Sequence, residues 1–202
     1  MTLVDSIIVK RLGTVEYLPT LAAMREFTSR RGEDTADELW LLEHPPVYTL
    51  GQGAEHRPLA NGIPLVKADR GGDITYHGPG QLVVYTLVDL ARRGIKVRQY
   101  VALLEQAVID LLDGRGERRA GAPGVYVQGA KIAALGIRVR QGRAYHGLSL
   151  NVDMDLSPFS AIDPCGYPGL AVTQTRDLGF DGNISGIGDR LARLLVERIE
   201  NA

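Results

Sequence analysis

The hydrophobic and polar positions of this chain fall into two periods, and the switches between them predict an α+β fold. Residues 6–12 read as a first strand and residues 15–31 as a helix, with Thr14 as its N-cap and Pro19 tolerable only in the first turn. Short strands at 38–43 and 47–50 flank His44-Pro45-Pro46, and the apolar, β-branched run 81–90 predicts a buried strand. Residues 97–113 form the clearest helix. Val97, Tyr100, Val101, Leu104, Val108, Leu111 and Leu112 share one face, and Gly114 follows as a stop.

Strand-like runs at 125–127, 130–140 and 143–152 come next, the last two joined by a hairpin at Gln141-Gly142. A final amphipathic helix over 185–200 presents Ile187, Leu191, Leu194, Leu195 and Ile199. Hairpins interrupt the βα alternation, which argues against a doubly wound parallel sheet. The pattern predicts a single α+β domain over residues 1–202, with helices packed on a mixed, largely antiparallel sheet.

Composition narrows the class. With 45% hydrophobic and 23% charged residues the chain is ordinary for a soluble domain. No apolar run approaches a membrane span, and the N-terminus lacks the basic start and apolar stretch of a secretory signal. One cysteine gives no hint of an oxidising compartment, so a cytoplasmic enzyme or binding domain is the expectation. A net charge of −1 gives no reason to expect nucleic acid as a partner. The only lysines are Lys10, Lys67, Lys96 and Lys131. Lys131 stands in a nearly uncharged run, where a lysine, unlike an arginine, can exchange its proton.

Two segments carry candidate chemistry. Cys165 lies between Pro164 and Pro168 with Gly166 and Gly169 beside it, an irregular loop able to present a sulfur to a substrate. A free cysteine is also commonly a small buried hydrophobe, and the loop alone does not choose between the two. In the second segment, Gly71, Gly72, Gly78 and Gly80 leave bare backbone among Arg70, Tyr76 and His77. That is either a surface for close ligand approach or a tight strand-turn-strand. His77, His146 and Cys165 lack the close spacing of a structural zinc site, and no metal is expected.

The chain resembles the octanoyltransferases of lipoate biosynthesis, also called lipoate-protein ligase B. The resemblance rests on His44-Pro45-Pro46-Val47-Tyr48-Thr49-Leu50-Gly51, on the segment from Arg70 to Leu82, and on Gly129-Ala130-Lys131-Ile132-Ala133-Ala134-Leu135-Gly136. It continues through His146-Gly147-Leu148-Ser149-Leu150-Asn151-Val152 and Asp163-Pro164-Cys165-Gly166. It implies the fold of the biotin and lipoate ligase catalytic domains and transfer of octanoyl from octanoyl-acyl carrier protein to a lysine. The acceptors implied are lipoyl domains of 2-oxoacid dehydrogenases and the glycine cleavage H protein. It implies Cys165 as the acyl-carrying thiol and Lys131 as its proton partner. Arg70, Gly71, Gly72, Asp73, Ile74, Thr75, Tyr76 and His77 are implied to line the acyl site, with Ala134, Leu135, Gly136, Gly147, Leu148 and Ser149.

Activated thioesters need no ATP, cofactor or metal, and a monomer away from membranes is expected to suffice. Gly71 and Gly72 are expected to open the acyl channel, with Tyr76, Leu135 and Leu148 as its walls and amides near Gly147-Leu148 or the cysteine as oxyanion donors. Arg92, Arg93, Lys96 and Arg98, or Arg138, Arg140 and Arg143, are candidate docking charges for an acidic carrier; the alternative is an ordinary solvated face. Two other readings use the same residues. An ATP-dependent ligase would need an adenylate-binding loop, and an acyl-binding module would leave Cys165 inert.

Overall fold

The computed structural model describes residues 6–54, 59, 61–162, 169–180 and 182–202. The first half of the chain comprises β1 (Ile7–Thr14), α1 (Tyr17–Arg30), β2 (Asp37–Glu43), β3 (Val47–Leu50), β4 (Leu65–Lys67), β5 (Ile74–His77) and β6 (Gln81–Asp89). The second half comprises α2 (Leu90–Arg93), α3 (Val97–Leu111), β7 (Gly124–Val127), β8 (Ala130–Arg140), β9 (Arg143–Asn151) and α4 (Ile184–Glu200). Cys165 lies outside the described residues.

Six strands form a large sheet in the order β1-β2-β6-β9-β8-β7, and three form a small one in the order β4-β3-β5. Only the β1·β2 and β3·β4 pairings are parallel; the others are antiparallel. The architecture is therefore α+β with mixed sheets, as the pattern predicts. No helix among the described residues is long and apolar enough to cross a membrane.

Alternation along β6 explains the layering. Leu82, Val84 and Val88 join the core that holds Tyr100, Leu104 and Val108 of α3 and Leu191 and Leu195 of α4. Val83, Tyr85 and Leu87 face the other way, into a cluster with Tyr17, Leu21 and Met24 of α1. Every residue of β6 is buried, as an interior strand covered on both faces must be. The small sheet has its own cluster, Tyr48, Leu50, Ile74 and Tyr76 packed with Met154, Phe159 and Ile162.

The hairpin at Gln141-Gly142 forms as the sequence indicates. Both residues take positive φ, 50° and 77°, the pairing that matches the twist of the flanking strands. Two expectations need correcting. The first helix begins at Tyr17 with Glu16 at its boundary, while Thr14 pairs with Glu43 and ends β1 instead of capping. Strands β4 and β5 build a second sheet where one was expected; they are only three and four residues long, too short for periodicity to register.

Candidate functional site

A cleft runs between the face of the large sheet that carries α1 and the edge of the small sheet. It is bordered by Tyr17, Arg70, Gly72, Asp73, Ile74, Thr75, His77, Val83, Tyr85, Ala134, Leu135, Gly136, His146, Gly147, Leu148 and Ser149. The empty space there is about 490 Å³ counting the open mouth, of which about 50 Å³ is enclosed. Twelve of the fourteen residues implied to line an acyl site thus meet at one place. Gly71 and Tyr76 do not border it. The Tyr76 ring points to the other side of β5, 5.4 Å from the Tyr48 ring and 5.5 Å from Phe159. Leu135 and Leu148 bound the cleft, yet both pack with the core on the opposite face, so alternation leaves Ala134, Gly136, Gly147 and Ser149 to floor it.

Gly136 and Gly147 stand directly opposite each other on β8 and β9. The loop before β5 lies against this bare strip, with Gly71 N–H donating to Ile137 O at 3.0 Å. A Cβ on Gly136 would sit 2.9 Å from Gly71 O and 3.2 Å from Arg70 Cδ, so only glycine admits the loop. Strand β9 is interior, with β6 and β8 on either side, and its amides are drawn into the two ladders. The Gly147-Leu148 amides are therefore poor oxyanion donors, and the other expected source, amides around the cysteine, lies outside the described residues.

One polar chain crosses the site. The Arg70 guanidinium donates to Thr49 O at 2.6 Å and, through Nη2 and Nε, to Thr49 Oγ1 at 2.8 and 3.2 Å. Thr49 Oγ1 lies 3.5 Å from His77 Nε2, and His77 Nδ1 is 2.7 Å from Gln81 Oε1. Gln81 Nε2 donates to Asn151 Oδ1 at 2.9 Å, and Asn151 Nδ2 to Thr173 O at 3.0 Å. Thr173 N–H in turn donates to Lys131 O at 2.9 Å, while Lys131 N–H donates to Ala171 O at 2.8 Å. The described segment 171–173 is thereby stitched beside Lys131.

Lys131 is buried at the start of β8. Its Nζ donates to Pro123 O at 3.2 Å and lies 5.2 Å from the centre of the Tyr126 ring. With Thr75, Ala134, Ser149, Phe159 and Val172 it borders a small cavity that shares Thr75, Ala134 and Ser149 with the cleft. Lys131 and the cleft are therefore neighbours.

Burial sets the protonation of the histidines. Burial, with the neighbouring His44 second, drives His77 down to about 3. Burial likewise lowers His44, whose Nδ1 is 2.6 Å from Val15 O and Nε2 2.8 Å from Tyr85 Oη. It lowers His146 against the opposing bond from Nε2 to Asp69 Oδ1 at 2.8 Å. Burial would raise the Asp69 carboxyl, but hydrogen bonds from His146, Tyr145 and Arg25 outweigh it and hold the group well below the usual carboxylate range. All three imidazoles are thus neutral at pH 7.

The two basic clusters fare differently. Arg92 and Arg93 are spent on the fully buried Asp37 carboxylate, at 2.8 and 2.5 Å, where Arg31 joins them. Arg143 is paired with Asp89 at 3.3 Å. Lys96, Arg98, Arg138 and Arg140 remain exposed, Arg138 donating to Gln52 Oε1 at 2.6 Å. Sequence reasoning passed over Tyr17, Tyr85, Gln81 and Asn151. Tyr17 and Tyr85 read as core and border the cleft, the first from α1 and the second from β6, while Gln81 and Asn151 border the Lys131 cavity, where the pairing of β6 with β9 brings them together.

Comparison with known proteins accords with this arrangement. Residues 16–193 match the family described as lipoyl protein ligase A/B catalytic domain. An octanoyltransferase of Aromatoleum aromaticum is 62% identical over 195 residues, covering 94% of this chain and 84% of that protein. One of Thiobacillus denitrificans is 60% identical over 202 residues, covering 98% and 91%. Among solved structures, a lipoate protein ligase of Thermoplasma acidophilum aligns with a TM-score of 0.74 at 18% identity, covering 96% of this chain and 83% of that one. A biotin protein ligase of Aquifex aeolicus aligns at 0.62 with 11% identity, covering 97% and 71%. These two show a shared fold alone. The family match and the identities of 60% and 62% go further: the chain belongs to the lipoyl protein ligase A/B catalytic-domain family and, within it, to the octanoyltransferases, which are acyltransferases.

Proposed function

We propose that this chain moves an octanoyl group from the thioester of an acyl carrier protein to a lysine of a lipoyl domain, through a thioester on Cys165. The lipoyl domains of 2-oxoacid dehydrogenases and the glycine cleavage H protein are the acceptor class. The observation that carries this reading is the meeting of a glycine-floored, partly apolar cleft with a buried lysine that shares Thr75, Ala134 and Ser149 with it.

The steps follow from ordinary thioester chemistry. The Cys165 thiolate attacks the carrier's thioester carbonyl, a new C–S bond forms, and the carrier leaves as a thiol carrying a proton supplied by Lys131. The acceptor's amine then attacks the acyl-enzyme, an amide forms, and the Cys165 thiolate is released. Lys131 takes up the amine's surplus proton, closing the cycle. A lysine suits this work because it holds a proton and surrenders it, which an arginine does not. The eight-carbon chain lies in the cleft beside Ala134 and Ser149, next to the glycine strip that the Gly71 loop covers, where burial is worth about 0.8 kcal/mol per CH₂. Arg70, held by Thr49, fixes the loop that roofs this strip.

Mixing the protein with octanoyl-carrier and a lipoyl domain, with ATP omitted, tests the reading. Octanoylated lipoyl domain is the expected product. Strict dependence on ATP would point to a ligase, and binding without transfer to an inert acyl-binding module.

A further inference from the structure

Three residues border both the cleft and the cavity of Lys131: Thr75, Ala134 and Ser149. That cavity encloses only about 10 Å³, roughly the room of one water-sized atom, so the groups around it converge on a single spot. Alternation along the strands turns both hydroxyls toward it. On β9, Leu148 and Leu150 join the core that holds α3 and α4, which leaves Ser149 on the cleft side, opposite Val83 of β6 and Ala134 of β8. On β5, Ile74 and Tyr76 pack into the cluster of the small sheet, and Thr75 therefore faces the other way.

Neither hydroxyl has a hydrogen-bond partner among the described residues. Neither is among the polar atoms sealed from water, so each oxygen opens onto the shared space. Ser149 is nonetheless only 4% exposed. A hydroxyl held there unpaired costs free energy, and folding alone gives no reason to prefer it to alanine, the residue opposite it on β8.

The transfer proposed above needs donors at this place. Attack on a thioester moves negative charge to the carbonyl oxygen, while the amides of Gly147 and Leu148 are drawn into the strand ladders. We propose that the Ser149 and Thr75 hydroxyls are catalytic, both donating to the thioester carbonyl oxygen and holding its charge as the Cys165 thiolate adds to the carbonyl carbon. The new C–S bond pushes the carbonyl electron pair onto that oxygen, and neither hydroxyl gives up its proton. When the pair returns, the bond to the carrier's sulfur breaks and Lys131 supplies that sulfur with its proton. The role rests on the acyl-transfer reading above.

The experiment compares the wild-type protein with Ser149→Ala and with Thr75→Val, which keeps the shape of the threonine. Acyl-enzyme formation from octanoyl-carrier is followed in a single turnover, and the infrared stretch of an isotope-labelled thioester carbonyl is recorded on the acyl-enzyme. We expect acylation to slow about a hundredfold in each variant, the scale of losing one oxyanion donor. The carrier concentration that gives half the maximal rate should stay within about twofold, and the carbonyl stretch should move to higher frequency as a donor is lost. Urea midpoints should hold, since neither substitution strands a partner. Acylation within twofold of wild type in either variant, or an unmoved stretch, would overturn the proposal and leave the transferase reading intact. A wild-type protein that acquires no octanoyl group defeats that reading, and the hydroxyl role falls with it.

Discussion

Gly124 pairs with Ala134 across β7·β8, and the Lys131 side chain runs past it so closely that a Cβ on the glycine would lie 2.7 Å from Lys131 Cε and 3.1 Å from Nζ. The glycine also holds φ at +143°, which L side chains rarely adopt. Gly124→Ala should therefore push the ammonium aside and strain β7 together. We expect kcat to fall by about a hundredfold, the scale of an ångström's misplacement of a catalytic group. Turnover measured well below the variant's own unfolding midpoint separates this from lost stability. Wild-type turnover would mean that the position of Lys131 is immaterial.

The buried histidines make stability depend on pH in a stated direction. His77 titrates at about 3 when folded and near 6.5 when unfolded, so between those values the unfolded chain binds more protons. Stability is then intact above pH 6.5 and is lost as pH falls below it. His77 alone accounts for about 2 kcal/mol of the loss at pH 5, and the lowered His44 and His146 add to it in the same direction. Urea midpoints between pH 7 and 4.5 should show this decline, and His77→Gln should flatten it. A midpoint indifferent to pH over that range contradicts the neutral-histidine picture.

Asn151, at the end of β9, links Gln81 of the neighbouring β6 to the segment beside Lys131, accepting from Gln81 Nε2 and donating to Thr173 O. Asn151→Ala leaves buried partners unmatched, at about 1–3 kcal/mol each. We expect a lower urea midpoint together with slower transfer. A midpoint shift with full activity would make Asn151 purely structural.

Charge at the proposed carrier-docking surface is better tested near Lys131 than at the clusters visible in the sequence. Arg119 lies over Tyr126, 4.5 Å from the centre of the ring that Lys131 Nζ approaches at 5.2 Å. Arg138 lies seven residues along β8 from Lys131, roughly 23 Å at strand spacing. Arg119→Glu should slow acyl-enzyme formation and flatten its salt dependence more than Arg138→Glu does. The reverse ranking would move the docking surface to the far end of β8.

Much of this molecule is legible in its sequence because local rules act without competition. The face of Leu104, Val108 and Leu111 and the Gln141-Gly142 turn are fixed by period and by backbone preference. The lining of the cleft is legible only through the resemblance, since strand pairing decides it. Gly136 meets Gly147 because β8 and β9 pair in that register. Tyr17 and Tyr85 read as core residues, and they are core residues whose polar ends happen to reach the site. Tyr76 shows the converse: its motif position suggests the site, but alternation along β5 turns its ring toward Tyr48 and Phe159.

Intact mass spectrometry after incubation with octanoyl-carrier alone tests the central claim most directly. The account predicts one added octanoyl group on the wild-type protein, released by a thiol or by a lipoyl domain, and none on Cys165→Ser. An unmodified wild-type protein that still octanoylates the lipoyl domain, or an adduct that survives Cys165→Ser, would contradict it.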